Sequence, residues 1–386
     1  MELNLPEYVI KCLEKLEYNG FEAWCVGGAV RDLIMGNIPY DYDITTNADP
    51  EMVFSLFPKT VPTGIKHGTV TVITEMGNIE VTTYRSDGDY LDNRSPENVR
   101  FVKSIDEDLI RRDFTVNSIC YNPKKGIYDP LNGIQDINSK IIRAIGDPDI
   151  RFTEDALRIM RAFRFSAQLG FEIEKLTLTS AVNLSDLLNN ISVERIFCEF
   201  KRIITSSNPE KLSPLLKCCA FEFLMLKQCE IPDILKHLTN DFSLRFSVMC
   251  YKNEFDAVEI LKKMKSDSIT INIVKILSKL LTLNIPRTKA DIKRMLEIGG
   301  IECFRNILNY YHAIGIDITE LNDLLKQIIE NNEPYSIKML AVSGNDLLQV
   351  GISGQEVGKT LNYLKNIVIE HSDYNTKEYL LNLIKK

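Results

Sequence analysis

The chain has 386 residues, of which 45% are hydrophobic and 26% charged, so it is long enough for two or more globular domains with sizeable cores. It contains no apolar run of about 18 residues and no leader-like N-terminus, which argues against a transmembrane helix and a signal peptide. Its net charge of −7 argues against a protein that coats nucleic acid, but leaves room for a nucleic-acid enzyme whose basic groups gather in one cleft.

The cysteines and histidines predict neither disulfides nor a metal site built on histidine. The four histidines are scattered along the sequence. The nine cysteines are odd in number, show no CxxC spacing and include the adjacent pair Cys218 and Cys219. We interpret them all as reduced core cysteines, which predicts a cytoplasmic protein.

The first element with functional character is a predicted strand over residues 21–26 that ends in a glycine pair. Gly27 and Gly28 lack a Cβ, so the backbone there can approach a phosphate closely. Arg31 follows within one helical turn, and its planar guanidinium can hold phosphate oxygens through two parallel hydrogen bonds. Taken alone, a glycine pair after a strand is more often an ordinary turn.

Two aspartates follow at a spacing that suits a metal ion. Asp41 and Asp43 lie two residues apart, so both carboxylates face the same side if the segment is a strand. Paired carboxylate oxygens suit Mg²⁺, which takes its other ligands from water and substrate phosphates. A DxD pair alone is common in solvated loops. Together with the glycines and Arg31 it predicts transfer of a nucleotidyl group.

A β-hairpin is predicted next. Residues 68–74 and 78–84 alternate and are rich in β-branched side chains, and residues 75–77 between them are typical of a turn. The second strand carries Glu80, which could be a third acidic group near the metal or a surface carboxylate. The polar segment 85–100 then predicts a long mobile loop that is either functional or a disordered insertion.

A short helix with two adjacent arginines is predicted after this loop. Arg111 and Arg112 stand before Asp113, Thr115 and Asn117. Adjacent side chains on a helix point about 100° apart, so only one arginine is expected to face a bound triphosphate. We assign that role to Arg112 and expect Arg111 to form a structural ion pair.

A longer helix is predicted to begin at Thr153, an N-cap residue followed by two acidic side chains. Asp155, Arg158 and Arg161 recur at intervals of three and share one face, while Glu154 can hold Arg158 as an i,i+4 pair. A salt-bridged surface helix is the plain alternative. The excess of arginine over acid favours phosphate and base binding instead. The opposite, apolar stripe is expected to face a core and consists of Ala156, Met160, Phe163 and Ala167.

A carboxylate and an arginine held side by side can read a nucleobase. Cytosine and adenine each offer an amino donor beside a ring acceptor, which an aspartate and an arginine complement. Uracil and guanine place a carbonyl where the amino group would be, so two acceptors would meet. An unpaired polar group in a dry site discriminates strongly, so such a pair would admit CTP and ATP and reject UTP and GTP.

The sequence changes character at about residue 145. Strand patterns give way to long stretches of Leu, Ile, Lys and Glu at helical spacing, punctuated by prolines. We therefore predict an α+β fold, with a head containing a mixed β-sheet and an all-helical remainder. Two basic clusters in the helical part, residues 262–265 and 287–294, are either solvated helix faces or contributors to RNA binding.

Five segments stand out together: GGAVRD with DYD (27–32 and 41–43), RRDFTVNS (111–118), YDPLNGIQDI (128–137), EDALRIMRAFRF (154–165), and Glu194-Arg195-Ile196 with Glu199. In combination they resemble the motifs of bacterial class II tRNA nucleotidyltransferases, the CCA-adding enzymes, within the polymerase β-like superfamily. The resemblance covers essentially the whole chain and is densest over residues 24–205. Residues 339–358 resemble the tail element of that family.

The resemblance implies a role for each motif. Asp41 and Asp43 would be the catalytic residues and the ligands of Mg²⁺. Asp155 and Arg158 would pair with the base of the incoming nucleotide. The remaining nucleotide-binding residues, which would contact the phosphates and sugar or complete the site, are Gly28, Arg31, Arg112, Arg161 and Arg164.

The resemblance also implies an architecture and partners. The expected domains are a catalytic head (1–145), a neck that recognises the base (146–205), a body (206–330) and a tail that binds tRNA (331–386). The activity would be template-independent addition of C, C and A to the tRNA 3′ end from CTP and ATP, with release of pyrophosphate. The acceptor and T arms of tRNA would bind the helical part. No membrane partner is expected, and the sequence leaves open whether the chain is a monomer or a homodimer.

Related activities remain as alternatives. Bacterial poly(A) polymerases share the head and neck motifs, but they usually carry a long basic C-terminal region that we do not find here. CC-adding relatives typically lack the loop that here contains DGDYLDNR (87–94), so deletion of this loop is expected to spare C addition and impair A addition. A-adding relatives can keep every motif, and sequence does not separate them. A non-enzymatic scaffold would require loss of Asp41, Asp43 or Arg158.

Overall fold

A computed structural model describes residues 2–88, 99–218 and 229–384. The chain divides into two compact units, Met1–Glu230 and Ile231–Lys386. The first unit combines a mixed sheet with helices, whereas the described residues of the second form helices and turns, which confirms the predicted α+β class. The finer boundaries at 145, 205 and 330 stay predictions. Within the described ranges, no helix has the length and apolar character needed to cross a membrane.

The main sheet belongs to the first unit and has seven strands: β1 (Ala23–Val26), β2 (Tyr42–Thr46), β3 (Thr60–Gly64), β4 (Thr69–Ile73), β5 (Asn78–Thr83), β8 (Cys120–Asn122) and β9 (Gly126–Tyr128). Their order across the sheet is β3-β4-β5-β2-β1-β8-β9. β2 and β5 pair in parallel, and the other neighbours pair antiparallel. Two further pairs lie outside it, formed by β6 (Arg85–Asp87) with β7 (Val99–Phe101) and by β10 (Ile141–Ile142) with β11 (Glu172–Ile173).

The helices of the first unit cover the sheet and extend beyond it. They are α1 (Glu7–Tyr18), α2 (Gly28–Ile34), α3 (Pro50–Leu56), α4 (Ile105–Ile110), α5 (Gly133–Ser139), α6 (Pro148–Glu154), α7 (Leu157–Leu169), α8 (Lys175–Asn183), α9 (Val193–Ile204) and α10 (Ser213–Lys217). Trp24 and Val26 of β1 pack in a core cluster with Ile105 and Leu109 of α4. Because Val26 lies opposite Asp43 in the β1–β2 register, that carboxylate shares the sheet face on which α4 packs.

The strand predictions for the head are confirmed. The strand expected over residues 21–26 is β1, and β4 and β5 form the expected antiparallel hairpin. The ends of the polar segment 85–100 form a short ladder, β6 with β7. Most of the loop predicted to act in A addition, residues 89–94, lies outside the described residues.

The described helices of the second unit are α11 (Phe242–Lys252), α12 (Ala257–Lys263), α13 (Ser268–Leu281), α14 (Lys289–Ala313), α15 (Thr319–Glu330), α16 (Gly344–Gln349), α17 (Gln355–Glu370) and α18 (Lys377–Ile384). Thr288 and Ser343 each form a capping box at the start of α14 and α16. α14 is interrupted at Gly300, where φ is 71°. A Cβ on Gly299 would lie 2.6 Å from Ile276, so α13 and α14 approach too closely there for a larger residue.

The cysteines only partly follow the core assignment. The eight cysteines in the described ranges are all free. Six of them are buried, but Cys198 is exposed on α9 and Cys218 is half-buried, so for these two the core assignment is wrong. Cys198 lies within α9, whereas Cys218 directly follows α10 as its C-cap residue, and a residue count does not reveal either position. Cys219 lies outside the described residues.

Candidate active site

One cavity of about 690 Å³ in the first unit is lined by every site residue that the sequence predicts. These residues come from the β1–α2 turn, the start of β2, the end of α4 and the α6–α7 junction: Gly28, Arg31, Asp41, Asp43, Arg112, Asp155, Arg158, Arg161 and Arg164. The structure therefore brings together side chains that are up to about 135 residues apart in sequence, counting from Gly28 to Arg164. Their functional roles stay predictions.

The glycine turn sets the backbone close to the charged groups. Gly27 has φ of 81°, and a Cβ there would lie 3.7 Å from Asp43 Oδ2. From the first turn of α2, Arg31 donates from Nη1 to Asn117 Oδ1 at 2.7 Å and pairs with Asp32 at 2.7 Å. The arginine is therefore buried and held in one orientation at the cavity wall.

Three carboxylates lie close together beside the glycine turn, at the start of β2 and on the neighbouring strand. Asp41 directly precedes β2, Asp43 lies within it, and Glu80 on β5 is the register partner of Asp43. Burial, together with the negative charges of Asp41 and Glu80, raises the pKa of Asp43 to about 6, while Arg112 opposes the shift. A half-buried carboxylate crowded by like charges would be stabilised by a divalent cation, and carboxylate oxygens are suitable ligands for one.

A fully buried carboxylate, Asp108, holds both arginines of the RRD motif. Arg111 donates to Asp108 Oδ1 from Nε at 3.0 Å and from Nη2 at 2.7 Å, and Arg112 donates to Oδ2 at 3.0 Å. Arg111 thus forms the ion pair expected of it, although both arginines line the cavity, and the assignment of Arg112 to a bound triphosphate stays a prediction.

The junction of α6 and α7 also departs from the sequence prediction. Thr153 lies in the last turn of α6 and is not an N-cap, and the two helices are separated at Asp155, whose backbone is extended. Asp155 Oδ1 accepts a hydrogen bond from the Leu157 N–H at 3.2 Å, and Oδ2 lies 3.6 Å from the Arg195 guanidinium. Burial raises the pKa of Asp155, against the opposing charges of Arg195 and Arg158. The predicted apolar stripe is nevertheless buried as expected.

Each arginine of α7 that lines the cavity is held by a carboxylate. Glu154 accepts from Arg158 Nη1 at 2.8 Å, the i,i+4 pair that the sequence predicts. Asp113 accepts from Arg161 at 2.5 and 2.7 Å, and Glu199 of α9 accepts from Arg164 at 2.5 Å. Although burial raises the pKa of Asp113, the Arg161 guanidinium and further hydrogen bonds lower it to about 2.

Phe165 is a site residue that sequence reasoning missed. Its ring lies in the cavity wall, 3.9 Å from the guanidinium carbon of Arg164 and 5.4 Å from those of Arg31 and Arg161. Contacts of this length are cation–π interactions. The contact between Arg161 and Phe165 could have been predicted, because the two residues are spaced i and i+4 on one helix. No local pattern could have indicated the contact with Arg31, which comes from a different helix.

Arg195 was also missed as a cavity residue, although its motif was noticed. It reaches from the first turn of α9 to the cavity and to Asp155. His67, Arg85, Asn117 and Leu157 complete the part of the wall formed by described residues. His67 lies in the turn before β4 and Arg85 begins β6, and nothing in their sequence surroundings indicates a ligand.

A mixed sheet that presents two neighbouring carboxylates to an arginine-lined cavity defines a nucleotidyltransferase of the polymerase β-like class. Sequence models agree along the chain: the poly A polymerase head domain matches residues 23–143, an RNA- and SrmB-binding site of polymerase A matches 170–229, and tRNA nucleotidyltransferase domain 2 matches 242–384. The CCA-adding enzyme of Ligilactobacillus salivarius is 36% identical over 99% of this chain and 98% of its own length. The chain belongs to the family of CCA-adding enzymes.

Other relatives agree with this assignment. The CCA-adding enzyme of Staphylococcus epidermidis is 34% identical over 96% of this chain and 95% of its own length. The crystal structure of the Bacillus stearothermophilus CCA-adding enzyme in complex with CTP superimposes with a TM-score of 0.85 at 30% identity, covering 98% of this chain and 97% of that one. The likeness therefore extends over both units.

Proposed function

We propose that this chain adds C, C and A in turn to the 3′ end of tRNA, using CTP and ATP and releasing pyrophosphate. The observation that carries the proposal is the cavity with carboxylates at one edge and the Asp155–Arg158 pair in its wall. Between them stand arginines whose guanidinium groups can bind a triphosphate. The α-phosphate would lie at Asp41 and Asp43, and the base at Asp155 and Arg158.

The carboxylate edge suits a divalent cation, and we infer that Mg²⁺ is the ion that Asp41 and Asp43 hold. When bound, it would activate the attacking hydroxyl and stabilise the leaving pyrophosphate. The rest of the catalysis is positioning. Arg31, fixed by Asn117 and Asp32, and Arg112, fixed by Asp108, present donors in set directions to the phosphates.

Base selection follows from the groups at the α6–α7 junction. Asp155 Oδ2 can accept from the exocyclic amino group of cytosine or adenine. Arg158 is held on three sides, by Glu154 and by the carbonyl oxygens of Arg151 and Arg111. A guanidinium so restrained would offer a donor to the ring acceptor of the base at little further cost in conformational entropy.

The proposal is tested with tRNA substrates that end before CCA, after C and after CC. Each is incubated with one labelled nucleotide at a time, CTP, ATP, UTP or GTP, in the presence of Mg²⁺. We expect C on the first two substrates, A on the third, and no extension beyond CCA. The Asp41→Asn variant is the matched control and should label none of them.

The outcomes separate the alternatives. Labelling by ATP alone, and only on the substrate that ends in CC, would identify an A-adding enzyme. Long homopolymers from ATP on any RNA would identify a poly(A) polymerase. No labelling of any tRNA by the wild-type chain would overturn the proposed function altogether. A cytoplasmic location stays a prediction.

A further inference from the structure

The carboxylates Asp41 and Asp43 also border a second cavity, which no step described so far uses. It measures about 500 Å³ and lies over the outer strands of the main sheet. The side chains on its floor come from β3, β4 and β5: Val61, Thr63, Thr71, Ile73, Asn78 and Glu80. We refer to these six residues as the strand groove.

The strand register shows that the groove continues directly from the catalytic carboxylates. Asp43 is opposite Glu80, Glu80 is opposite Thr71, and Thr71 is opposite Val61. Residues directly opposite one another on neighbouring strands point to the same face. The four side chains therefore form one row across four strands, with spacings of about 5 Å between strands. The row begins at Asp43 and ends at the edge of the sheet.

The two cavities differ in chemistry. The first is lined by eight arginines, whereas the described residues that line the strand groove include neither lysine nor arginine. The groove instead offers hydroxyls, carboxylates and two exposed aliphatic side chains. Val61 is 41% exposed and Ile73 is 40% exposed, although a solvated sheet face usually carries polar residues. A triphosphate therefore fits the first cavity and not the second.

We infer that the strand groove holds the terminal nucleotide of the acceptor RNA. This inference rests on the proposed function. Nucleotidyl transfer places the attacking and leaving oxygens roughly in line on opposite sides of the phosphorus. If the pyrophosphate binds to the arginines, the attacking 3′ hydroxyl approaches the α-phosphate from the side away from them. That side is the strand groove.

The groove residues suit a nucleoside more than a phosphate. Val61 and Ile73 offer apolar contact to the base or the sugar face, which is compatible with different terminal bases. Thr63 and Thr71 form a hydroxyl pair, with their oxygens 2.8 Å apart, and a hydroxyl pair can donate to and accept from a ribose 2′ hydroxyl. Glu80 stands between this pair and Asp43, where the 3′ hydroxyl would lie.

A charge placed in the groove tests the inference. Ile73→Asp and Val61→Asp change exposed side chains, so both variants should fold. Each carboxylate would repel the RNA backbone and remove an apolar contact. We expect kcat/KM for tRNA to fall by roughly tenfold or more, while the affinity for CTP in the absence of RNA is unchanged. Met76→Asp is the matched control, because Met76 is 78% exposed in the turn of the same β4–β5 hairpin but does not line the groove.

A second measurement locates the RNA end directly. A tRNA that lacks only the final A, and carries a photoreactive 4-thiouridine in place of its last C, is cross-linked to the wild-type chain and the adduct is mapped by mass spectrometry. We expect the adduct within residues 61–80. Adducts confined to residues 155–165, or groove variants that match Met76→Asp in kcat/KM for tRNA, would overturn the inference while the wild type still adds nucleotides. If the wild type adds none, the proposed function itself fails.

Discussion

Replacement of Asp155 by asparagine tests whether this side chain selects the base. The asparagine would keep the size of the side chain and, through its carbonyl oxygen, the hydrogen bond from the Leu157 N–H at 3.2 Å. Its amide NH₂ would then stand where Asp155 Oδ2 now lies and would donate where the carboxylate accepts. The substitution therefore reverses the polarity of one atom at the base edge.

The expected change in the selectivity for CTP over UTP follows from exchanging a hydrogen-bond acceptor for a donor at the base edge. For CTP, the amino group of the base would face another donor, which costs about 1–3 kcal/mol in a site largely closed to water. For UTP, a clash between two acceptors would become a hydrogen bond, which contributes a gain of similar size. The ratio of the CTP and UTP efficiencies should therefore fall by at least about tenfold, and by about a thousandfold if the two contributions add.

Asp155→Ala provides the matched control, because the 3.6 Å ion pair with Arg195 is lost in both variants. Alanine offers neither a donor nor an acceptor. It should relax the discrimination against UTP without creating a preference for it. Only the asparagine variant should approach or exceed equal use of UTP.

The assay measures kcat/KM for each of the four nucleotides on a tRNA that ends before CCA. It uses the wild-type chain and both variants at the same tRNA concentration. If Asp155→Asn slows all four nucleotides by the same factor and the ratio of CTP to UTP stays unchanged, the base is read elsewhere. The α6–α7 junction would then serve only to place the arginines.

Three further predictions follow from the contacts. Asp43→Asn should abolish addition of both C and A while leaving tRNA binding measured by filter retention nearly unchanged; loss of one nucleotide alone would contradict the metal assignment. Beside Arg161, the pKa of Asp113 is about 2, which is below its ordinary value of 3.8. The ionised carboxylate therefore adds about 2 kcal/mol to the free energy of unfolding above pH 4, and this contribution is lost as the pH falls from about 4 to 2. In urea unfolding, the difference in the free energy of unfolding between the wild type and Asp113→Asn should become smaller as the pH falls through that range. Lys293→Met should lower the free energy of unfolding by about 3 kcal/mol without changing the KM for CTP, because Lys293 is buried and pairs with Glu333 at 2.6 Å.

Lys293 also shows where the sequence was ambiguous. Its cluster, residues 287–294, could be a solvated face or an RNA contact, and neither description fits this residue. Its side chain is 2% exposed and its ammonium group is taken up by Glu333 and Ser372. Glu333 lies 40 residues away, beyond the following helix, so no local pattern could pair the two. Arg287 and Arg294 of the same cluster are exposed and can still contact RNA.

The local features of the head could be predicted because short-range chemistry determines them. A glycine pair after an apolar run, a DxD at the start of a strand and a hairpin turn each act within a few residues. The same reasoning could have placed the start of α6, since Asp147 accepts from the Asp149 N–H and Pro148 occupies the first helical position. We placed the start at Thr153 instead, because the acidic residues after it also resemble a first turn.

The partners of Arg161 and Arg164 could not be predicted. Asp113 and Arg161 are 48 residues apart, and Glu199 and Arg164 are 35 apart. Whether a guanidinium points to solvent, to a carboxylate or to a cavity depends on tertiary packing, which one sequence does not reveal. The pairs that a local pattern can predict are different, since Asp108 with Arg111 and with Arg112 are i,i+3 and i,i+4 pairs, as is Glu154 with Arg158.

These pairings explain how an acidic chain can hold a triphosphate. Of the eight arginines in the cavity wall, seven make ion pairs with carboxylates: Asp32, Asp108, Asp113, Glu154, Asp155 and Glu199. A guanidinium has five N–H donors, and a carboxylate occupies one or two of them, so the others can face the cavity. The wall is then a set of oriented donors with little excess charge, and its attraction for phosphate comes from preorganisation more than from net charge. A net charge of −7 is therefore compatible with this site, and overall composition is a poor guide to it.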